Sequence, residues 1–268
     1  MSTTAGIIPA RWGSTRFPGK ALHEIAGKPL LRHVWECARR AKKLDQLIIA
    51  TDDFRIAQAA FGWGAEVAMT SPDHTSGTDR AAEVVKKLRG VRHVINIQGD
   101  EPLIDRKLID RLVRDLQRDK QIEMITAAHA FQDPADAESP HEVKVVLNRD
   151  GDALYFSRAL IPAQRNGGLQ TAEQKTGRFG KRPSPYLRHQ GIYGYTRDLL
   201  LRFVRWKTSL LEQMESLEQL RALENGVRIR VVMTGSGSPG VDTPEDARTI
   251  ERLMMTAVQR GPARKHSR

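Results

Sequence analysis

The chain has 268 residues and a mass of 30.1 kDa, enough for one large α/β domain or two small ones. Hydrophobic residues are 40% and charged residues 28%, which excludes a disordered or collagen-like polymer, and the one cysteine, Cys37, excludes an intrachain disulfide, a multi-thiolate zinc site and a CxxC pair. The 43 Lys/Arg against 32 Asp/Glu leave a net charge of +11, which calls for an anionic partner, a basic tail, or both.

Short β-type runs alternate with amphipathic helical stretches, the rhythm of a mostly parallel sheet covered by helices. GIIP reads as a first strand, PLLRHVWECARRAKK as a helix, LDQLIIATDD as a second strand and EVAMT as a third. SGTDRAAEVVKKL is a helix and RHVINIQGD a fourth strand, and in DRKLIDRLVRDLQRD the residues Leu108, Leu112 and Leu116 recur every four positions along one helical face. The second half is less regular. VKVVLN and ALYFSR flank RDGD, the pattern of an antiparallel hairpin. Residues 162–185 are rich in Gly, Gln, Lys and Pro without periodicity, so a long loop is expected there, disordered or acting as a lid. GIYGYT is a strand, LLEQMESLEQLRALE a helix stopped by Asn225 and Gly226, VRIRVVMT a strand, and a last helix starts at Pro244. The terminus RGPARKHSR has too few apolar groups to pack and is expected to be mobile. No apolar run approaches the ~20 residues of a membrane span, so a cytoplasmic protein without membrane insertion is expected.

Four stretches can carry chemistry. IIPARWGSTRFPGKAL is a strand entering a loop that holds Gly13, Ser14, Thr15, Gly19 and the cations Arg11, Arg16 and Lys20. A loop at the carboxyl end of the first parallel strand is where open α/β sheets bind ligands, and its glycines let backbone N–H groups approach phosphate oxygens. The loop is neither GxGxxG nor GxxxxGKS, which disfavours a dinucleotide fold and a P-loop; a solvated basic loop is the alternative. VINIQGDEP ends a strand in Asp100 and Glu101, and a carboxylate there can hold Mg²⁺ shared with phosphates. The competing reading is a strand-to-helix turn with one acid as a cap. In GVDTPEDA, Thr243 and Pro244 are explained as cap and first helical residue, whereas Asp242 is not. RHQGIYGY and LEQMESLEQLR offer His189, Tyr193, Tyr195, Glu212, Glu215 and Glu218, though the glutamates could form a solvated helical stripe.

In this order the stretches IIPARWGSTRFPGKAL, IATDD, TSPDHTSGTDRAAEVV, INIQGDEPLI, VKVVLNRDGDALYFSRALIP, RHQGIYGY, LLEQMESLEQLRALENG and GVDTPEDA closely resemble the 3-deoxy-manno-octulosonate cytidylyltransferase family, over residues 7 to about 252. The resemblance implies one α/β nucleotidyltransferase domain of the glycosyltransferase-A-like kind over 1–252, with a smaller antiparallel sugar-binding and dimerisation part at roughly 130–225 and a basic flexible tail at 253–268. It implies a homodimer, and transfer of the cytidylyl group of CTP to 3-deoxy-D-manno-octulosonate (Kdo) with Mg²⁺, giving CMP-Kdo and pyrophosphate for lipopolysaccharide synthesis. Arg11, Ser14, Arg16 and Lys20 would cradle the triphosphate, Lys20 and Arg11 would serve catalysis, and Asp100 and Asp242 would ligate the metal. Cytosine and ribose would meet Pro9, Ala10, Thr51, Ser76, Gly77, Arg80 and Gln98; the sugar would meet Gln98, Arg158, His189, Tyr193, Glu218 and Gln219.

Three stretches depart from the family pattern: SPHEVKVV, AQRNGG after ALIP, and TAEQKTGRFGKRPSP. The last two lie near where the sugar would enter, which keeps an 8-amino Kdo analogue as an alternative substrate. A sialic acid cytidylyltransferase fits GSTRFPGK poorly, and a nucleic-acid-binding protein lacks RRM, KH or helix-turn-helix signatures.

Overall fold

The computed structural model describes residues 3–13, 16–163 and 186–260, the side chains of 257–260 excepted. The chain divides into two compact units, residues 3–111 together with the stretch that begins at Ser238, and Leu112–Gly237. The second unit begins before and ends after the smaller part expected at roughly 130–225.

In the first unit, β1 (Thr3–Ala10) pairs in parallel with β4 (Gln46–Thr51) and β6 (Val91–Asn96), and β4 pairs in parallel with β5 (Glu66–Met69). The strands are apolar runs because both faces are covered: Ala5, Ile7, Ile8, Ile48, Ile49, Val94 and Ile95 are buried. β2 (Glu24–Ile25) and β3 (Lys28–Pro29) form a two-residue antiparallel hairpin whose turn uses Ala26 and Gly27 at positive φ. Around them lie α1 (Leu30–Ala38), α2 (Phe54–Gly62), α3 (Gly77–Lys87) and α8 (Pro244–Arg260). α2 was not anticipated; Asp53 caps it, accepting from Arg55 N at 2.9 Å. α8 continues to Arg260, so residues 253–260 are helical rather than tail. The order β6–β1–β4–β5 reverses direction between β1 and β6, and the carboxyl ends of those two strands therefore form a topological switch point.

α4 (Arg106–Arg118) contains the boundary between the units, and Leu108, Leu112 and Leu116 are buried as their spacing predicted. The second unit adds β7 (Met124–Ala130), β8 (Lys144–Leu147), β9 (Ala153–Ser157), β10 (Leu187–Thr196), α5 (Arg197–Phe203), α6 (Leu210–Glu215), α7 (Gln219–Glu224) and β11 (Ile229–Thr234). β10 runs antiparallel to β7 and β8, β8 and β9 form the expected hairpin, and β11 joins β7 in parallel. Parallel sheet with covering helices, plus antiparallel strands, is the α/β class expected from sequence.

The helix expected over LLEQMESLEQLRALE is two helices. Ser216 sits at φ 52 and ends α6, and the left-handed residue turns the chain before α7 begins. Its glutamates are consequently no solvated stripe. Glu212 is buried, closes a capping box with Ser209, and takes two hydrogen bonds from Arg221 at 2.8 and 2.6 Å. Glu215 accepts from Ser157 Oγ at 2.6 Å and Arg158 N at 2.9 Å.

Candidate active site

A cavity of about 300 Å³ opens at the switch point of the first unit. Its floor is made by the strand ends. Gly99 lies so close to β1 that a Cβ there would stand 2.7 Å from the Pro9 carbonyl oxygen, and a Cβ on Gly77 would meet the Pro9 ring at 3.3 Å. Glycine at both positions lets the turn after β6 and the start of α3 close on the end of β1.

The loop after β1 is pinned on both sides of its cations. Phe17 is buried in a cluster with Ile25, Leu30, Val241, Ala247 and Ile250 and meets the His23 ring edge-on at 4.7 Å. Trp12 covers Gly19, whose φ of +70° and proximity to the indole both favour glycine, and Gly19 N donates to Trp12 O at 3.2 Å. From α2, the Arg55 guanidinium lies 3.5 Å from the Trp12 ring centroid. These anchors aim Arg11, Arg16 and Lys20 into the cavity.

Lys20 Nζ lies 2.8 Å from Asp100 Oδ2 and 3.2 Å from Asp242 Oδ1, and Arg16 reaches Asp242 Oδ2 at 3.3 Å. Two acids 142 positions apart thus converge on one ammonium; the backbone bond Val241 N to Asp100 O, 2.9 Å, ties their segments together. Asp246 fixes the turn at Asp242 by accepting from Asp242 N at 3.0 Å, from Thr243 N at 2.9 Å and from Thr243 Oγ1 at 2.9 Å, while Thr243 Oγ1 caps α8. The acidic pair is a set of hard oxygen donors of the kind Mg²⁺ shares with phosphates.

The opposite wall is α3 and the segment before it. Ser76 caps α3, its Oγ accepting from Asp79 N at 3.1 Å. Arg80, though 3% exposed, lines the cavity; it pairs with Asp52 at 3.3 Å and donates to Thr70 Oγ1. Pro9, Ala10, Arg11, Arg16, Lys20, Ser76, Gly77, Arg80, Gln98, Asp100 and Asp242 all line the cavity. Thr51 does not: it is fully buried, and its Oγ1 accepts from Asp53 N at 3.2 Å to hold the turn after β4. Ser14 lies outside the described residues. Sequence reasoning passed over His74 and Thr75, which also line the cavity; the signal was their adjacency to Ser76.

Five of the expected sugar contacts belong to the second unit. His189 and Tyr193 pair opposite Ala128 and Thr126, two apart, so they share a face of β10, with ring centroids 5.4 Å apart. Burial pushes the His189 imidazole down to about 3, and its Nε2 lies 3.0 Å from Thr126 Oγ1. The Tyr193 hydroxyl is pushed well up by burial and, further, by Tyr195 and Glu218, which brings Glu218 to the same group. Gln219 is buried, and its side-chain N–H₂ has no hydrogen-bond partner among the described residues. Arg158 donates to the carbonyls of Glu215 at 2.8 Å and Pro140 at 3.2 Å.

A switch-point cavity that sets three cations beside two acids defines an α/β nucleotidyltransferase. Residues 5–229 match the cytidylyltransferase family. Proteins named 3-deoxy-manno-octulosonate cytidylyltransferase are 47% identical: one from Solibacter usitatus over 96% of both chains, and one from Geobacter sulfurreducens over 94% of this chain and 100% of its own. A solved structure of CMP:2-keto-3-deoxy-manno-octonic acid synthetase complexed with CTP superimposes with a TM-score of 0.86 at 41% identity, covering 96% of this chain and 100% of that one. The chain belongs to the 3-deoxy-manno-octulosonate cytidylyltransferase family.

Proposed function

We propose that the protein transfers the cytidylyl group of CTP to the anomeric hydroxyl of Kdo, giving CMP-Kdo and pyrophosphate, and so supplies the activated sugar for lipopolysaccharide. The observation that carries this reading is Lys20 held between Asp100 and Asp242 at the mouth of a nucleotide-sized cavity. In the reaction the sugar oxygen forms a bond to the α-phosphorus as the bond to the pyrophosphate oxygen breaks. Negative charge grows on the leaving pyrophosphate, and Arg11, Arg16 and Lys20 are the cations available to stabilise it. Lys20 is held by carboxylates and exchanges them for phosphate oxygens when the nucleotide enters.

Asp100 and Asp242 fit Mg²⁺, being two carboxylates on one cavity with open space for phosphate oxygens. When bound, the ion supplies Lewis acidity toward the sugar hydroxyl and the α-phosphate. Tyr193, His189, Glu218 and the unbonded Gln219 amide supply donors and acceptors suited to a polyhydroxy acid. The relatives named for Kdo favour Kdo over its 8-amino analogue. A homodimer is supported by exposed Leu154, Leu210 and Met214 in the second unit, and a cytoplasmic site by the single cysteine.

The test is pyrophosphate release by purified protein from CTP and Mg²⁺, with and without Kdo. Release that needs both Kdo and the metal is expected; release without Kdo, or none with it, would overturn the reading.

A further inference from the structure

His74 forms part of the cavity wall without belonging to the phosphate-binding loop. Its Nε2 lies 2.7 Å from Glu83 Oε2. Glu83 also accepts from Ser71 N at 2.8 Å and from Lys87 Nζ at 2.7 Å. Lys87 first, then Ser71 N and His74, hold its carboxyl down at about 2, so the partner of Nε2 is an ionised acceptor throughout the neutral range. An ionised carboxylate accepts only, so Nε2 must carry the proton. In the neutral ring Nδ1 then has a lone pair, and it makes no hydrogen bond to any described residue.

Charge decides which part of a nucleotide lies at this wall. Arg11, Arg16 and Lys20 converge with Asp100 and Asp242 on the loop side, whereas Asp73, Asp79 and Glu83 surround the start of α3. The three cations on the loop side draw the phosphates there, and Arg80 on the α3 wall is already paired with Asp52, so the base lies toward α3. Cytosine offers a donor, its 4-amino group, where uracil offers an acceptor, its 4-oxo group.

We infer that His74, oriented by Glu83, is a specificity-determining residue that accepts a hydrogen bond from the cytosine amino group through Nδ1 and thereby rejects UTP. With UTP the same lone pair faces a carbonyl oxygen, and a site built around a hydrogen bond discriminates strongly against the analogue that cannot make it. The inference deepens the cytidylyl reading and rests on it for the identity of the nucleotide, but not for that of the sugar.

The experiment is calorimetric binding of CTP and UTP, each with Mg²⁺ and without sugar, to the intact protein and to His74→Phe and His74→Asn. Phenylalanine keeps a ring and removes the acceptor; asparagine places an amide oxygen near the position of Nδ1. The intact protein is expected to prefer CTP by tenfold or more, His74→Phe to lose about tenfold of that preference, and His74→Asn to keep it within about threefold. Equal binding of both nucleotides by the intact protein, an unchanged ratio in His74→Phe, or equal loss in both variants would overturn the inference. A His74-dependent preference for CTP without turnover of Kdo would leave the inference standing and refute the sugar assignment.

Discussion

At the scale of single residues, Lys20 is the group on which the phosphate chemistry depends, because two carboxylates separated along the chain both reach it. Replacement by methionine keeps the stem's length and packing while removing the charge that the leaving pyrophosphate requires. In Lys20→Met the single-turnover rate is expected to fall by about 10²–10³-fold, the loss typical when one preorganised charge stabiliser is removed. The KM for Kdo should remain within threefold; quenched-flow kinetics separate the two quantities, and an effect confined to the sugar would remove Lys20 from the phosphate site. Asp100→Asn and Asp242→Asn each take a charge from the expected metal donors. Each should lose most turnover, recovered in part by raised Mg²⁺, with circular dichroism unchanged; normal rates in either variant would dismiss the metal assignment. The cations and acids were legible in sequence because glycines and strand ends flank them. Thr51 was marked by the resemblance alone; its buried hydroxyl accepts from a backbone N–H in its own turn rather than lining the cavity. His74 escaped notice because what distinguishes it is Glu83, nine positions away on a helix.

At the scale of elements, the strongly periodic or apolar segments were legible: β1, β4, α3 and α4 bury the residues their spacing marks. Two kinds of element were not. α2 and β7 are built largely from alanine, threonine and isolated larger apolar residues, whose periodicity is weak. The break between α6 and α7 depends on Ser216 adopting a left-handed conformation that no glycine announces, and it turns Glu212 inward to Arg221. β10 carries a register shift between Gln190 and Tyr193, and there the hydroxyl of Thr126 lies 3.2 Å from Gln190 O and 2.8 Å from Ile192 O. His189 stays neutral on this strand, enclosed by Phe156 and Tyr193. An unfolded histidine binds its proton near pH 6.5, while the native ring does so only at about 3. The unfolded state therefore holds more protons across that window, and stability contributed by His189 is complete above pH 6.5 and lost as pH falls toward 3. Urea denaturation at pH 6.5 and 4.5 should show the intact protein losing stability at up to about 1.4 kcal/mol per pH unit more steeply than His189→Phe. Equal slopes would show that other groups set the acid sensitivity.

At the scale of the whole molecule, the excess of basic residues identified an anionic substrate only in part. Among the described residues many cations are already paired: Arg55 with Asp53, Lys28 with Glu36, and Arg230 with Asp152. Charge sum alone could not distinguish the three cations of the cavity from these, whereas their position after the first strand could. The same limit applies to association, since an exposed leucine in a sequence reads like a buried one. The second unit leaves Leu154, Leu210 and Met214 61%, 68% and 73% exposed, and the last two, four residues apart, lie on one face of α6. A soluble monomer gains nothing from such side chains, whereas a second copy of the chain would remove them from water. Light scattering of the intact protein is expected to give about twice 30.1 kDa. Charges at both α6 positions, Leu210→Asp with Met214→Glu, should shift it to the monomer mass without loss of helical signal. Because the nucleotide cavity is lined within the first unit, the monomeric variant should still bind CTP, even if turnover falls. A variant that kept the doubled mass would exclude α6 from the interface, and an intact protein of single mass would exclude the dimer.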